Sequence, residues 1–225
     1  MPPSTNPKNP FHSSRLIYRA VLFPEDNSLF NAINDDHIGF QNSNAGNHRL
    51  PGRADAEKFQ KHASECLLGA VICLPKFSEM TAVEKSNIDA EAKDEKIEEY
   101  AEAGVAIGQI LLAGLSPNMK HHRSAEIGID ILPPYQGKGY GTEAINWVLA
   151  HAFRRVGLHR VDIRAFEWND GAVRLYKKLG FKEEGRKREA LWHEGRWWDG
   201  IDMGMLEREW WEMERRRTDS EGSGS

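Results

Sequence analysis

The run from Leu132 to Ala144, LPPYQGKGYGTEA, holds the residue types that bind phosphate. Gly137, Gly139 and Gly141 carry no side chain, so an anion can come close to the main chain, and Lys138 adds a positive charge. A strand-like run precedes these residues and an amphipathic helical pattern follows them. Backbone N–H groups at a helix start lack intrahelical partners and carry the positive end of the helix dipole. Spacing excludes two phosphate loops. A nucleoside-triphosphate loop needs Gly-Lys followed by Ser or Thr and a glycine five residues earlier; here Gly139 follows Lys138, and Leu132 holds the earlier position. A dinucleotide fingerprint, G-x-G-x-x-G, finds Gly137 and Gly139 but has Thr142 in its third place. The spacing that remains is Gln136-x-x-Gly139-x-Gly141. It reads as a phosphate cradle or as a plain glycine-rich turn between strand and helix.

The elements that must position this loop are legible as patterns. SAEIGIDIL (124–132) alternates, with Ile127, Ile129 and Ile131 on one face and Glu126, Gly128, Asp130 and Leu132 on the other. Pro133 and Pro134 disrupt sheet pairing, so they are expected to help splay this strand from its neighbour. Residues 141–157 give the clearest helix, apolar at Ile145, Val148, Leu149, Ala152, Phe153 and Val156 and stopped by Gly157. HRVDIRAF (159–166) reads as a strand. NDGAVRLYKKLG (169–180) reads as a helix, with Asn169 or Asp170 as cap and Gly180 as stop. A hairpin turning at Glu194-Gly195 and a terminal helix, EREWWEMERRR, follow. Upstream, RLIYRAV (15–21) and LLGAVICL (67–74) read as strands, as does GVAIGQILLAG (104–114). PEDNSLFNAIND (24–35) and ADAEKFQKHASE (54–65) read as helices, and residues 39–53 as a loop. Strands first and then β–α–β–α–β–β predicts a mixed α/β fold, an α+β mixed sheet crossed by helices.

The whole chain narrows the classes. Of 225 residues, 40% are hydrophobic and 28% charged, as in an ordinary soluble globular protein. The net charge of −4 conceals nine acids and three lysines within residues 79–102. The rest is close to neutral, without the clustered basic face that nucleic acid requires. No apolar run reaches membrane-spanning length, and the N-terminus lacks a signal-peptide core. Cys66 and Cys73 flank one strand and are too far apart to join, which suits a reducing, cytoplasmic setting. His121-His122 lack companion ligands, so no metal site is expected. The domain is expected over 15–212. Residues 1–14 are expected to be disordered, 75–103 to be an acidic insertion, and 213–225 a flexible tail.

The loop has company. Gln136-x-x-Gly139-x-Gly141 resembles the acyl-CoA loop, Q/R-x-x-G-x-G/A, of the GNAT N-acetyltransferase superfamily. Downstream, Asn169, Ala172, Tyr176, Gly180 and Phe181 match N-x-x-A-x-x-x-Y-x-x-x-G-F, which is similar to the C-terminal half of RimJ/RimL-type acetyltransferases. The likeness is strong from about 104 to 206 and weaker from 15 to 74, and the acidic insertion departs from the compact family pattern.

The resemblance implies the GNAT fold, a splayed central sheet with helices on both faces, and acetyl transfer from acetyl-CoA to a primary amine. A protein N-terminus, a polyamine or another small amine would be the acceptor. The pyrophosphate would sit on the N–H groups of Gly137, Lys138, Gly139, Tyr140, Gly141 and Thr142, with the Gln136 and Lys138 side chains at the rim. The pantetheine arm would pair with the backbone of Asp130, Ile131 and Leu132 like an added strand. Asn169 would touch the pantetheine or simply cap its helix. Tyr176, two turns on from Asn169, would protonate the departing thiolate, a step that suits a phenol of pKa near ~10; a core aromatic is the alternative. Glu126 would take the amine's proton, sharing a strand face with Gly128; a surface ion pair is the alternative. Asp130, Glu167 and His193 are weaker candidates for that role. Trp192, Trp197 and Trp198 fit an acceptor pocket, a homodimer contact or the core equally well.

Overall fold

The structure, a computed structural model, describes residues 9–75 and 104–222. Its strands are β1 (Ile17–Ala20), β2 (Leu68–Leu74), β3 (Val105–Gly114), β4 (Ser124–Ile131), β5 (Arg160–Phe166), β6 (Lys182–His193) and β7 (Arg196–Leu206). They form one seven-stranded sheet in the order β1-β2-β3-β4-β5-β7-β6. All neighbours are antiparallel except β4 and β5, which are parallel. The helices are α1 (Asn27–Asp35), α2 (His37–Ser43), α3 (Arg53–Glu65), α4 (Tyr140–Ala150), α5 (Asp170–Lys178) and α6 (Glu207–Gly222).

Alternation along β2 explains why helices cover both faces. Ala70, Ile72 and Leu74 join a core with Ile145, Val148 and Leu149 of α4, whereas Val71 and Cys73 join another with Leu29, Phe30 and Ile33 of α1. Burying each of these large side chains is worth about 1.5–3 kcal/mol. The α4 stripe runs on through a π-helical turn, His151–Val156, to Gly157 at φ 70°. Glu194 and Gly195 both have positive φ, 48° and 78°, as a two-residue hairpin turn requires.

The parallel pair positions the site. β4 and β5 are in register only over Ser124–Glu126 and Arg160–Asp162, so they diverge from Ile127 onward. The sheet is therefore splayed, and the divergence begins well before the prolines. Pro133 and Pro134 form a short 3₁₀ turn, Pro133–Tyr135, that follows the strand rather than wedging it open.

Other sequence expectations are corrected. Residues 39–43, read as loop, belong to α2: Asp36 caps it by accepting from the Gly39 N–H at 3.0 Å, and Phe40 is buried. Residues 9–14 are packed rather than disordered. Tyr18 stacks on Trp147 at 3.7 Å, the Trp147 indole donates to the Pro10 carbonyl at 3.0 Å, and Tyr18 N–H donates to the Phe11 carbonyl at 2.8 Å. The terminal helix read over EREWWEMERRR (207–217) continues to Gly222, so the flexible tail expected from 213 is helical as far as 222; Met213 packs on the core and Glu214 pairs with Arg154 at 2.9 Å. The acidic insertion, from residue 76, lies outside the described residues, as do residues 1–8 and 223–225.

Candidate active site

The divergence of β4 from β5 opens a cleft of about 950 Å³. β4, the glycine loop and the starts of α4 and α5 form one side, and α2 and the β6–β7 hairpin complete it. Glu126, Asp130, Ile131, Leu132, Gln136, Gly137, Gly139, Tyr140, Gly141, Thr142, Asn169 and Tyr176 all line it. Lys138 does not. The sequence had no means of finding the contribution of α2, because that segment reads as loop.

The loop leaves main-chain donors open, an arrangement that can hold an anion. Gly137 and Gly139 adopt φ 72° and 83°, a region that side chains resist. The first helical bond of α4 is Glu143 N–H to the Gly139 carbonyl. The N–H groups of Tyr140, Gly141 and Thr142 thus precede the ladder, and they and those of Gly137 and Gly139 have no acceptor among the described residues. Arg15, which sequence reasoning missed, clips the loop in place. Its Nε donates to Glu143 at 2.8 Å, its Nη1 to the Lys138 carbonyl at 3.1 Å, and its guanidinium lies 4.7 Å over the Tyr140 ring. The Gln136 amide donates to the Ile131 carbonyl at 2.7 Å, bracing the loop against the end of β4 rather than reaching out at the rim.

Across the cleft, Asn169 Oδ1 accepts from the Ala172 N–H at 3.2 Å and caps α5. Tyr176 follows on α5, buried at 8% exposure, with no hydrogen-bond partner for its hydroxyl among the described residues. Burial pushes its pKa up to about 12, and the nearby Asp130 charge adds to the rise. The phenol is held protonated at the wall of the cleft.

Acids and bases line the opposite part in unequal numbers. Glu126 accepts from Arg164 Nε at 2.6 Å, and Lys187 pairs with Asp202 at 3.2 Å. Asp36 and Asp130 have no cationic partner among the described residues. Asp130 accepts from the amide of the fully buried Gln109 at 2.8 Å, and desolvation raises its pKa. The remaining candidate bases lie elsewhere. Glu167 binds Arg186 at 2.9 Å and the Asp199 N–H at 3.0 Å, and His193 stacks on Trp168 at 4.3 Å. Trp192 and Trp197 meet edge to face at 5.1 Å on the hairpin surface, and Trp198 carries Arg196 over its ring; none lines the cleft. His121 and His122 end a 3₁₀ turn, and no cluster of three metal-ligating side chains occurs among the described residues.

This geometry agrees with comparison to known proteins: residues 15–182 match the acetyltransferase (GNAT) domain. The chain belongs to the GNAT acetyltransferase family. Among relatives of this GNAT chain, the spermidine N(1)-acetyltransferase of Vibrio cholerae is 40% identical over 86 residues, 38% of the chain and 50% of the relative. A putative ribosomal N-acetyltransferase of Bacillus subtilis is 36% identical over 89 residues, 40% of the chain and 49% of the relative. The chain therefore spans about half the length of the curated relatives it matches. Solved structures extend the likeness of fold. A Bacillus anthracis GNAT acetyltransferase superposes with TM-score 0.65 at 19% identity, covering 88% of this chain and 98% of that one. The Vibrio cholerae spermidine N-acetyltransferase with CoA and spermine gives 0.63 at 24% identity, covering 88% and 99%.

Proposed function

We propose that this GNAT chain moves the acetyl group of acetyl-CoA to a primary amine by direct attack in a ternary complex. The observation that carries the reading is the opening of two donor sets without partners among the described residues, the N–H groups of Gly137, Gly139, Tyr140, Gly141 and Thr142 and the Tyr176 hydroxyl, onto one cleft. The first set suits a pyrophosphate and the second a leaving thiolate. Between them β4 has no β5 partner from Ile127 to Ile131, a free edge that suits the amides of a pantetheine arm.

The acceptor class follows from charge. Two ion pairs cancel within the cleft, and Asp36 and Asp130 are left over, so a cation is favoured there. Polyamines and other small amines are cationic, and so is a protein N-terminus. The polyamine and ribosomal relatives support this range without narrowing it. In the reaction the ammonium loses a proton, the free amine attacks the thioester carbonyl, and the tetrahedral adduct expels CoA thiolate. Tyr176 protonates that thiolate and recovers a proton from the new amide nitrogen.

The test is thiol release from acetyl-CoA across peptides, polyamines and aminoglycosides. Amine-dependent release with a matching acetylated product is expected. Coenzyme binding without release for any amine would make the chain a coenzyme-binding module instead.

A further inference from the structure

We propose that Asp130, braced by Gln109, takes the proton from the acceptor ammonium, and that Glu126 does not. The proposal rests on the acetyl-transfer reading. Both carboxylates share one face of β4 and line the cleft, four residues and so roughly 13 Å apart along the strand. Glu126 lies at the closed end, still in register with Asp162 of β5, and its Oε1 is engaged by Arg164. That bond to the guanidinium would have to break before Oε1 could reach an incoming ammonium. Asp130 lies where the strands have parted. The titratable groups acting on it are Asp36 at the start of α2 and Tyr176 of α5, neither a cation, and no ion pair compensates it among the described residues. Desolvation brings its proton affinity towards working pH, as a general base requires.

Gln109 explains how one site tolerates both charge states. It stands directly opposite Asp130 in the β3–β4 register, fully buried, and its Nε2 donates to Asp130 Oδ2. Its Oε1 has no partner. That orphaned acceptor is costly unless a donor arrives. Once Asp130 is protonated, a half-turn of the amide presents Oε1 to the new O–H. The ionised carboxylate accepts from Nε2 and the protonated one donates to Oε1. The proton account closes: the ammonium N–H bond breaks and an Asp130 O–H bond forms. The amine attacks, the C–S bond breaks, and the thiolate takes the Tyr176 proton. Tyr176 regains a proton from the amide nitrogen, and Asp130 releases its own to solvent.

The test is the pH profile of kcat/KM for thiol release, measured on the full chain as Asp130→Asn, Glu126→Gln and Gln109→Leu, with acetyl-CoA binding measured separately. Asp130→Asn is expected to lose turnover about 100-fold or more, with coenzyme affinity kept and the acidic limb gone. Glu126→Gln keeps the limb. Gln109→Leu moves the limb to higher pH, because of the two bonds lost the charge-assisted one to the ionised form is the stronger; a merely structural role lowers the rate without moving it. If Asp130→Asn fails to fold, the Gln109→Leu shift decides. An intact limb in Asp130→Asn, or its loss in Glu126→Gln, overturns this proposal alone. A wild-type chain that binds coenzyme and acetylates no amine overturns the acetyl-transfer reading and this proposal with it.

Discussion

Replacing Tyr176 with Phe separates chemistry from packing better than any other change in the cleft. Phe keeps the ring that packs near Phe181, at 6.2 Å between centroids, so no cavity forms. The hydroxyl has no protein partner among the described residues, so its removal breaks no internal bond. The hydroxyl faces the cleft rather than the core, so its loss leaves no buried polar group behind. The variant is therefore expected to melt within a few degrees of the wild-type temperature. General-acid catalysis contributes about 100- to 10,000-fold. A thiolate leaves readily even without a proton, so the lower end applies: about 100-fold in kcat, or ~2.7 kcal/mol. The phenol's pKa is raised above its usual ~10 to about 12, so it stays protonated throughout the accessible range. The deficit should then be constant across that range, and Tyr176 should contribute no alkaline limb below about pH 11. The assay is thiol release at saturating acetyl-CoA and amine, with coenzyme binding measured by calorimetry. A Tyr176→Phe enzyme with kcat within about threefold of wild type and unchanged coenzyme affinity refutes the role.

Other changes probe the surroundings. Gly139→Glu forces a side chain into φ 83°, at about 1–2 kcal/mol, and sets a negative charge in the cradle. Coenzyme affinity should fall by about 100-fold or more by calorimetry, and unaltered binding would sink the phosphate assignment. Arg15→Ala removes the clip on the loop; as Arg15 is more than one-third exposed, about 1 kcal/mol is at stake. KM for acetyl-CoA should rise about fivefold in steady-state assays with kcat unchanged, and the reverse pattern would contradict the clip. Cys73 is fully buried with its thiol pushed up to about 11, whereas Cys66 is half-buried. A bulky thiol reagent should label only Cys66 in the native protein and both on unfolding; rapid labelling of Cys73 in the native protein would refute its burial.

The parts legible in the sequence were those set by local rules. The β4 alternation, the helix-stopping Gly157 and Gly180, the α4 stripe and the Glu194-Gly195 turn depend on neighbours within a few residues, and each lies where its pattern predicts. What long-range packing decides was hidden. Arg15 and Glu143 meet across 128 residues, and no periodicity announces that pair. Residues 39–53 hold three Gly and three Asn, which masked α2; burial of Phe40 and the Asp36 cap outweigh that composition. Strand alternation put Glu126 and Asp130 on one face, but only the sheet shows that Arg164 holds the first and Gln109 the second. The polar run TDSEGSGS (218–225) suggested a tail, yet the helix runs on to Gly222, anchored by contacts of Met213 and Glu214 with the body.

The position of β7 between β5 and β6 governs how the chain is made. The edge of β5 that faces away from β4 is paired only by β7, whose Gly200–Leu206 segment lies about forty residues further on. At roughly 5–20 residues per second, a ribosome leaves that edge bare for about 2–8 s. Bare strand edges recruit other chains. The cleft wall around Gly200, Ile201 and Asp202 arrives in the same late step. Nascent chains stopped before Leu206 should therefore be sticky and inert together, and competence should appear abruptly when the last strand slots in.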